Sequence, residues 1–357
     1  WAPSVARPQR TPQQARDVTV EMLIVVALQN SPQILAMSRK PLIQETRIIE
    51  AESQFDLRVF MDSAFDRTSD PVGNELQTGG PPRFREENWD YTAGVRQKMA
   101  AGGTLEASQR IGYQHNNSEF FTPREQGNSR LVLSFTQPLL RGAGKAVNSA
   151  PTVVAEIETA TAWDRFSARL QDYLLRVTGA HWNLYLERTA CLQKRRLYEQ
   201  AQSILDELED RRSIDSSPSQ LVRTRAAVAT RRSELARADR NVMNAEARIR
   251  ALVGNAQLFG GSGVEFLPQD HPSPQPVSVD LQSVRRTALK YRPEMNEAIK
   301  RVQTAALRAD VSKRDLLPVL DLVLETYVAG LEGQGDIGTS LGNQFGAGEP
   351  GYTCLLY

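Results

Sequence analysis

The stretch that decides the fold runs from Thr161 to Leu205 and reads TAWDRFSARLQDYLLRVTGAHWNLYLERTACLQKRRLYEQAQSIL. Apolar residues recur in it at every seventh position, and a second run with the same interval follows after a short break. The first run is Trp163, Leu170, Val177, Leu184, Cys191, Tyr198 and Leu205, and the second is Leu221, Val228, Leu235, Val242 and Ile249. A strict seven-residue apolar repeat places one stripe on a helix and favours a left-handed supercoil against a partner helix. The sequence therefore predicts two long helices that pack together as a coiled coil.

The break between the two runs predicts the tip of a helical hairpin. Ser217 to Gln220 read as a capping box with proline at the first helical position, and Gly254 suits a left-handed helix end. An antiparallel hairpin over 151–254 follows, with helices roughly 90 Å and roughly 50 Å long at 1.5 Å per residue. The candidate site at its tip comprises Arg212, Ser213, Ile214, Asp215, Ser216, Ser217 and Pro218.

Composition and residue spacing argue against several classes of function. With 43 Lys+Arg against 42 Asp+Glu, the near-neutral charge gives no reason to expect nucleic acid as a partner. Cys191 holds a place in the apolar stripe and is predicted to be a small buried side chain. His115, His181 and His271 fall in a loop, a helix and a linker, so we expect no catalytic, metal or cofactor site and no enzyme. No run of 18 apolar residues exists, which argues against a transmembrane helix.

The period of the apolar pattern changes before the hairpin. A disordered leader (1–17) and helices over 18–55 are predicted first, with a kink or a delayed helix start at Pro41. From Leu57 to Pro138 the period is two, in four alternating runs that predict strands over 57–138. Strands with one apolar and one charged face fit either a soluble sheet or a transmembrane β-barrel with a wet lumen, and the alternation alone does not choose between them.

An internal repeat relates the two ends of the chain. When residue n is laid on residue n+261, Ala27-Leu28 and Pro32 fall on Ala288-Leu289 and Pro293. The first repeat covers 18–254, a linker or equatorial segment covers 255–280, and a second repeat begins at 281 with helices over 281–316 and strands over 318–357. Because the second repeat stops as its second strand begins, we expect its own helical hairpin to be missing and interpret the chain as truncated.

Three motifs carry a family resemblance over residues 18–357. They are Ala27-Leu28-Gln29-Asn30-Ser31-Pro32, the repeated Ala288-Leu289-Lys290-Tyr291-Arg292-Pro293-Glu294, and Thr136-Gln137-Pro138-Leu139-Leu140-Arg141-Gly142 before the long helix. In this order, and duplicated, they resemble the outer-membrane efflux protein family, the TolC-type channels. The implied fold is mainly α with β: a long antiparallel coiled-coil hairpin that contributes to an α-barrel, plus transmembrane β-barrel strands, in an internal structural repeat.

The resemblance also implies a function and a set of partners. It implies a homotrimer in the cell outer membrane whose strands, four per subunit, close a 12-stranded barrel, with the helices in the periplasm. Such a channel is a passive export conduit of a tripartite efflux or type I secretion system. An inner-membrane transporter feeds it through a periplasmic adaptor that docks at the hairpin tips. The first repeat departs from the family plan, since it has four β segments where two are expected, and the hairpin over 91–113 would extend or decorate the barrel.

A second interpretation belongs to another class: a soluble structural or interaction protein with a coiled-coil hairpin on a β domain. The two interpretations differ in where the apolar strand faces lie. The soluble interpretation requires Val59, Val95, Leu105 and Leu133 to pack on a helix of the same chain, whereas the channel interpretation requires them to form an outward band.

Overall fold

In this computed structural model, the described part of the chain covers most of the sequence. It comprises residues 2–8, 14–74, 76, 78–211, 217–254, 264–273, 275–276, 278–346 and 349–357. The chain forms two compact units, one of Trp1–Ile43 with Thr161–Glu297 and the other of Gln44–Ala160 with Ala298–Tyr357.

The helices include the two long helices of the predicted hairpin and the pair of shorter helices that opens each repeat. They are α1 (Ala2–Val5), α2 (Val20–Asn30), α3 (Pro32–Glu52), α4 (Lys145–Asn148), α5 (Ala150–Asp210), α6 (Pro218–Val253), α7 (Leu281–Tyr291), α8 (Pro293–Asp315) and α9 (Ile337–Gly346). A 3₁₀ turn, Ser53–Phe55, follows α3.

The strands form two sheets. They are β1 (Gln14–Val18), β2 (Arg58–Pro71), β3 (Arg83–Lys98), β4 (Thr104–Asn116), β5 (Glu125–Pro138), β6 (Val264–Pro268), β7 (Asp321–Gly333) and β8 (Gly351–Leu356). β1 and β6 pair in parallel, and the other six form one antiparallel sheet in the order β2-β3-β4-β5-β7-β8. The sheet is open in a single chain, with β2 and β8 at its edges.

Helices α5 and α6 lie side by side in opposite directions. Cys191 contacts Asp239 at 3.1 Å, Lys194 contacts Glu234 at 2.9 Å, and further along Arg225 contacts Glu209 at 2.8 Å, so positions rise along one helix as they fall along the other. The apolar stripe lies in the core of this unit. Its buried members include Val177, Leu184, Cys191, Val242 and Ile249, which confirms the predicted burial of Cys191.

The two-stranded sheet packs its apolar residues into the same core, which holds Val18, Leu23 and Phe266 beside the stripe. A buried ion pair joins this sheet to helix α5: Arg188 Nη1 lies 2.6 Å from Glu265 Oε1, and both side chains are at most 1% exposed. The Arg188 guanidinium also donates to the carbonyls of Val5 (3.0 Å) and Arg7 (2.7 Å). These contacts hold α1, β1 and β6 in place, so the described part of 1–17 is not the disordered leader that the sequence predicted. Strand β6 lies within 255–280, which was predicted to be a linker or an equatorial segment.

The internal repeat is visible in the helix boundaries. Helix α2 begins at Val20 and α7 at Leu281, while α3 begins at Pro32 and α8 at Pro293, both pairs separated by 261 residues. The helix ends also match. The N–H of Ser31 donates to Ala27 at 2.9 Å, and that of Arg292 donates to Ala288 at 3.0 Å.

Two local expectations differ from the structure. Of the kink or delayed start expected at Pro41, the delayed start is not observed, because helix α3 begins at Pro32 and continues through Pro41. The region 318–357, predicted as strands, also contains a helix, α9, over Ile337–Gly346. The cause is the turn before it, where Asp336 accepts from the N–H of Gly338 at 2.9 Å and from the Thr339 hydroxyl, an N-terminal cap that the glycine content of the segment obscured.

Candidate functional site

Of the predicted tip residues, the structure describes only the last two. Arg212, Ser213, Ile214, Asp215 and Ser216 lie outside the described residues. Ser217 is the exposed N-cap of α6 and Pro218 its first residue, as the capping-box pattern predicted. The Gln220 side chain accepts from the N–H of Ser217 at 3.2 Å, which satisfies a backbone donor outside the first turn.

The turns next to the tip carry exposed charges. Arg225 bridges from α6 to Glu209 of α5 at 2.8 Å, and Arg211 lies 3.6 Å from Glu207 on its own helix. All four side chains are at least 43% exposed, so they remain available to another molecule at this end of the hairpin. The sequence predicted the tip as a candidate site but did not indicate these flanking charges.

One face of the six-stranded sheet is apolar and uncovered over much of its area. Directly opposite residues share a face, and the row Val59–Val95–Ala107–Leu133 crosses four strands. Val59 is 78% exposed and Met61 is 72% exposed; Leu105 and Leu133 are also exposed, and Val95 is half-buried. A large contiguous apolar surface is rarely left facing water by a soluble protein, and it indicates contact with lipid or with another chain.

The apolar face ends at an aromatic row. Phe65, Trp89 and Tyr113 lie opposite one another across three strands, and the rings of Phe65 and Trp89 meet edge to face at 5.4 Å. Two residues further along the strands the same face becomes charged, with Arg67 and Glu87 paired at 3.1 Å. Eight residues of each strand separate the row of Leu105 from the aromatic row. At about 3.4 Å per residue and a tilt of about 40°, the band between them is about 20 Å tall, close to the apolar band of outer-membrane barrels.

The opposite face of the sheet carries cross-strand ion pairs. Arg96 Nε lies 2.7 Å from Glu106, Arg110 lies 2.7 Å from Asp90, and Arg130 lies 3.2 Å from Glu325. Phe60, the apolar residue that interrupts this face in the sequence, lies against Gly94 of the next strand, where a Cβ would approach its ring to 2.7 Å. A glycine there leaves room for the ring, and the Arg96 guanidinium lies over it at 5.1 Å.

Helix α9 covers a polar part of the otherwise apolar face. Gln344 and Gln109 exchange side-chain hydrogen bonds of 3.0 and 3.1 Å, and Ser129 donates to the carbonyl of Ser340 at 2.9 Å. Gly330 allows the close approach, because a Cβ there would meet the same carbonyl at 2.1 Å. Gln109 and Ser129 on this face are therefore paired with α9, while Val59, Leu105 and Leu133 stay uncovered.

The described residues do not support a metal site. No group of three or more His, Cys, Asp and Glu side chains in that part of the chain could hold a metal ion. His181 is buried in the helical unit, 3.4 Å from Asp270, and burial lowers the pKa of its imidazole. Taken singly, no described helix is long and apolar enough to cross a bilayer. The two successive helical segments Val20–Asn30 and Pro32–Phe55, which are bent by 52° relative to each other, are long and apolar enough only when taken together.

Solved structures share this architecture at low sequence identity. The CmeC outer-membrane channel of Campylobacter jejuni matches 99% of this chain and 66% of its own, with a TM-score of 0.61 and 10% identity. The outer-membrane protein VceC of Vibrio cholerae matches 95% of this chain and 67% of its own, with a TM-score of 0.56 and 15% identity. The fold is that of the TolC-type outer-membrane channels. The predicted resemblance in fold is confirmed.

The TolC-type fold also appears in the MtrE outer-membrane channel of Neisseria gonorrhoeae, which matches 99% of this chain and 69% of its own, with a TM-score of 0.52 and 12% identity. No family model and no curated protein sequence matches the chain. The chain spans about two thirds of the length of these channels.

Sequence reasoning missed two features of the site. The aromatic row depends on the register between β2, β3 and β4, which brings together side chains far apart in sequence. The α9 cover depends on Gln109 and Ser129, two polar residues on an apolar face. Their positions in the alternating pattern could have indicated that something packs on that face.

Proposed function

We propose that this chain is part of a passive export channel of the cell outer membrane, working in a tripartite efflux or type I secretion system. The sheet would lie in the membrane as part of a β-barrel, and the helices would stand in the periplasm. The repeats over 18–254 and 281–357 would contribute equivalent parts of the wall. No reaction, cofactor or metal is needed, because the protein supplies a wet path and the driving energy comes from a partner pump.

The observation that carries the proposal is the polarity of the six-stranded sheet. One face presents exposed Val59, Met61, Leu105 and Leu133 up to an aromatic row, and the other carries the ion pairs of Arg96, Arg110 and Arg130. This is the arrangement of a barrel wall, with lipid outside and water inside. The soluble alternative required Val59, Val95, Leu105 and Leu133 to pack under a helix, and the exposure of Val59, Leu105 and Leu133 disfavours it.

The partners follow from the same arrangement. An open sheet has two unpaired edges that lipid cannot satisfy, so copies of the chain must close it, and we propose a homotrimer. The hairpins of the copies would together form an α-barrel of coiled coils. The tip over Arg212–Pro218, flanked by exposed Arg211, Glu209 and Arg225, would dock a periplasmic adaptor that connects to an inner-membrane transporter.

Exchange of the tip tests the docking role. Replacing Ser213–Ser217 by a bulky charged loop of the same length should abolish export, because hairpin-to-hairpin docking requires a compact tip, while trimers still form. The measurement is export of a reporter substrate alongside trimer recovery on gels. A control exchange of Asn74 and Leu76, two exposed residues between β2 and β3, should leave export intact. Export that survives the tip exchange would disprove docking at the tip.

Membrane extraction tests the channel against the soluble alternative. Channel protein should stay with outer-membrane fragments through washes at high salt and high pH and leave them only with detergent, because the apolar band is in lipid. Release in the aqueous washes would favour the soluble structural protein.

A further inference from the structure

The hairpin formed by β3 and β4 lies within the wall of the sheet. Strand β2 pairs with β3 over all of its 14 residues, from Arg58–Arg96 to Pro71–Arg83, and β5 pairs with β4 from Thr136–Thr104 to Glu125–His115. β2 and β5 are thus held apart by two full-length strands.

We propose that this hairpin widens the barrel. In the assembled protein β3 and β4 are two extra wall strands per copy, with one face in lipid and the other in water, as in the neighbouring strands. The inference rests on the proposed homotrimer, in which three copies would gain six strands. Neighbouring strands lie about 4.8 Å apart and tilt by about 40°, so six strands lengthen the circumference by about 37 Å and the diameter by about 12 Å.

The side chains of the hairpin fit a wall position on both faces. On the apolar face it supplies Trp89, Tyr91, Val95, Leu105 and Ala107, which continue the rows of β2 and β5. On the charged face it supplies both members of two ion pairs, Arg96 with Glu106 and Arg110 with Asp90. A hairpin that merely decorated the outside or the top of a barrel would have no need for such two-sided alternation in register with its neighbours.

The strand directions also allow a wall with or without the hairpin. All neighbours in the sheet are antiparallel, so β2 and β5 run in opposite directions and could pair directly. Val59 and Leu133 lie in the same row on the same face, so that pairing would keep the apolar side outward. An inserted pair of strands therefore changes the width of the barrel without changing its polarity.

The widened barrel predicts a wide outer opening. The added inner surface is lined by charged residues that already pair with each other, so it would bind a passing anion or cation weakly.

Excision of the hairpin tests the inference. The ends of the segment 83–116 are neighbours, since Asn117 Nδ2 donates to the carbonyl of Arg83 at 2.9 Å, so Pro82 can be joined to Asn117. The variant should assemble into trimers whose barrel, seen end-on by electron microscopy, is narrower by about 12 Å. The double variant Arg96→Gln, Glu106→Gln keeps every strand and should keep the width.

An excision variant with an unchanged diameter would overturn the inference and leave the channel function standing, because trimers in the outer membrane would still be seen. If the unmodified protein were found in the soluble fraction, the proposed function would instead be overturned.

Crosslinking covers the case in which the excised protein fails to assemble. In a background of Cys191→Ala and Cys354→Ala, the pair Val59→Cys, Val95→Cys should form a disulfide within each chain in outer membranes, because these residues are opposite in the sheet. The pair Val59→Cys, Leu133→Cys should not, since two strands separate them. Crosslinking of the second pair and not the first would mean that the hairpin lies outside the wall, against the inference.

Discussion

The two units of this chain place their apolar side chains in opposite ways. In the helical unit most of the seven-residue stripe is buried or half-buried, and Leu184 and Ile249 are almost completely buried. In the sheet unit the side chains of Val59 and Met61 are among the most exposed apolar groups of the protein. Similar residue types therefore stabilise the helical unit from within and, on the proposed function, hold the sheet in lipid. Hydropathy alone indicates that apolar residues are present, and only the period and the partner surfaces show which environment they face.

The largest expected effect is at the ion pair buried in the helical unit. Replacing Glu265 by leucine leaves the Arg188 charge buried without its carboxylate partner, and we expect a loss of about 3–5 kcal/mol in the free energy of unfolding. Denaturant unfolding followed by tryptophan fluorescence measures it.

The double variant Glu265→Leu, Arg188→Met is the matched control. It removes both charges and should recover most of the loss, although the carbonyls of Val5 and Arg7 lose a donor. If the single and double variants were equally unstable, packing around these side chains, and not the uncompensated charge, would be responsible.

Matched leucine truncations test the comparison itself. Leu184→Ala should cost about 2–5 kcal/mol, because it opens a cavity in a closed core. Leu133→Ala removes the same atoms from the exposed sheet face and should change stability in detergent by at most about 0.5 kcal/mol. Thermal unfolding of both variants provides the measurement. Equal losses would show that Leu133 is packed against protein in the assembled molecule.

Two lysine substitutions separate the faces of the sheet. Met61→Lys places a charge on the apolar face, four residues from each end of the band, and should destabilise the membrane-inserted state by about 2–4 kcal/mol. Asp62→Lys changes a residue on the charged face and should have a much smaller effect, because that face is wet. The fraction of folded protein recovered from outer membranes measures both. Equal recovery would argue against lipid on the Met61 face.

How much of this the sequence predicted depends on the range of the contacts involved. The hairpin, its buried stripe, the cap at Ser217 and the four strands of the first repeat follow from local periods and capping residues, which one segment carries within itself. The pairing of β1 with β6 and the Arg188–Glu265 ion pair join residues distant in sequence. The segment that holds β1 was therefore predicted to be a disordered leader, and the segment that holds β6 was predicted only as a linker or an equatorial segment.

Contacts between residues distant in sequence also limited what could be predicted about the candidate site. Alternation along β2 to β5 identified an apolar and a charged face but left open whether lipid or a helix covers the apolar one. The answer depends on the exposure of Val59 and Leu133, which only the assembled sheet reveals. The tip prediction rests on sequence alone, since Arg212 to Ser216 lie outside the described residues.

At neutral pH the smallest expected effect concerns the thiol in the buried stripe of the helical unit, because its titration changes stability only in alkali. Burial, together with the hydrogen bond to Asp239 at 3.1 Å, raises the pKa of the Cys191 thiol to about 12. Because the pKa is higher in the folded than in the unfolded chain, the stabilisation is complete below about pH 8.5, the ordinary thiol value. It is then lost as the pH rises toward 12, at about 1.4 kcal/mol per pH unit.

Comparison with Cys191→Ala isolates this contribution from the other groups that titrate in alkali. The wild-type protein should lose stability between pH 9 and pH 11 more steeply than the variant, by up to about 1.4 kcal/mol per unit, and the two slopes should coincide below pH 8. Chemical unfolding at a series of pH values gives both slopes. Parallel slopes throughout would mean that water reaches the thiol, and hence that the stripe is less tightly closed around Cys191 than its 1% exposure indicates.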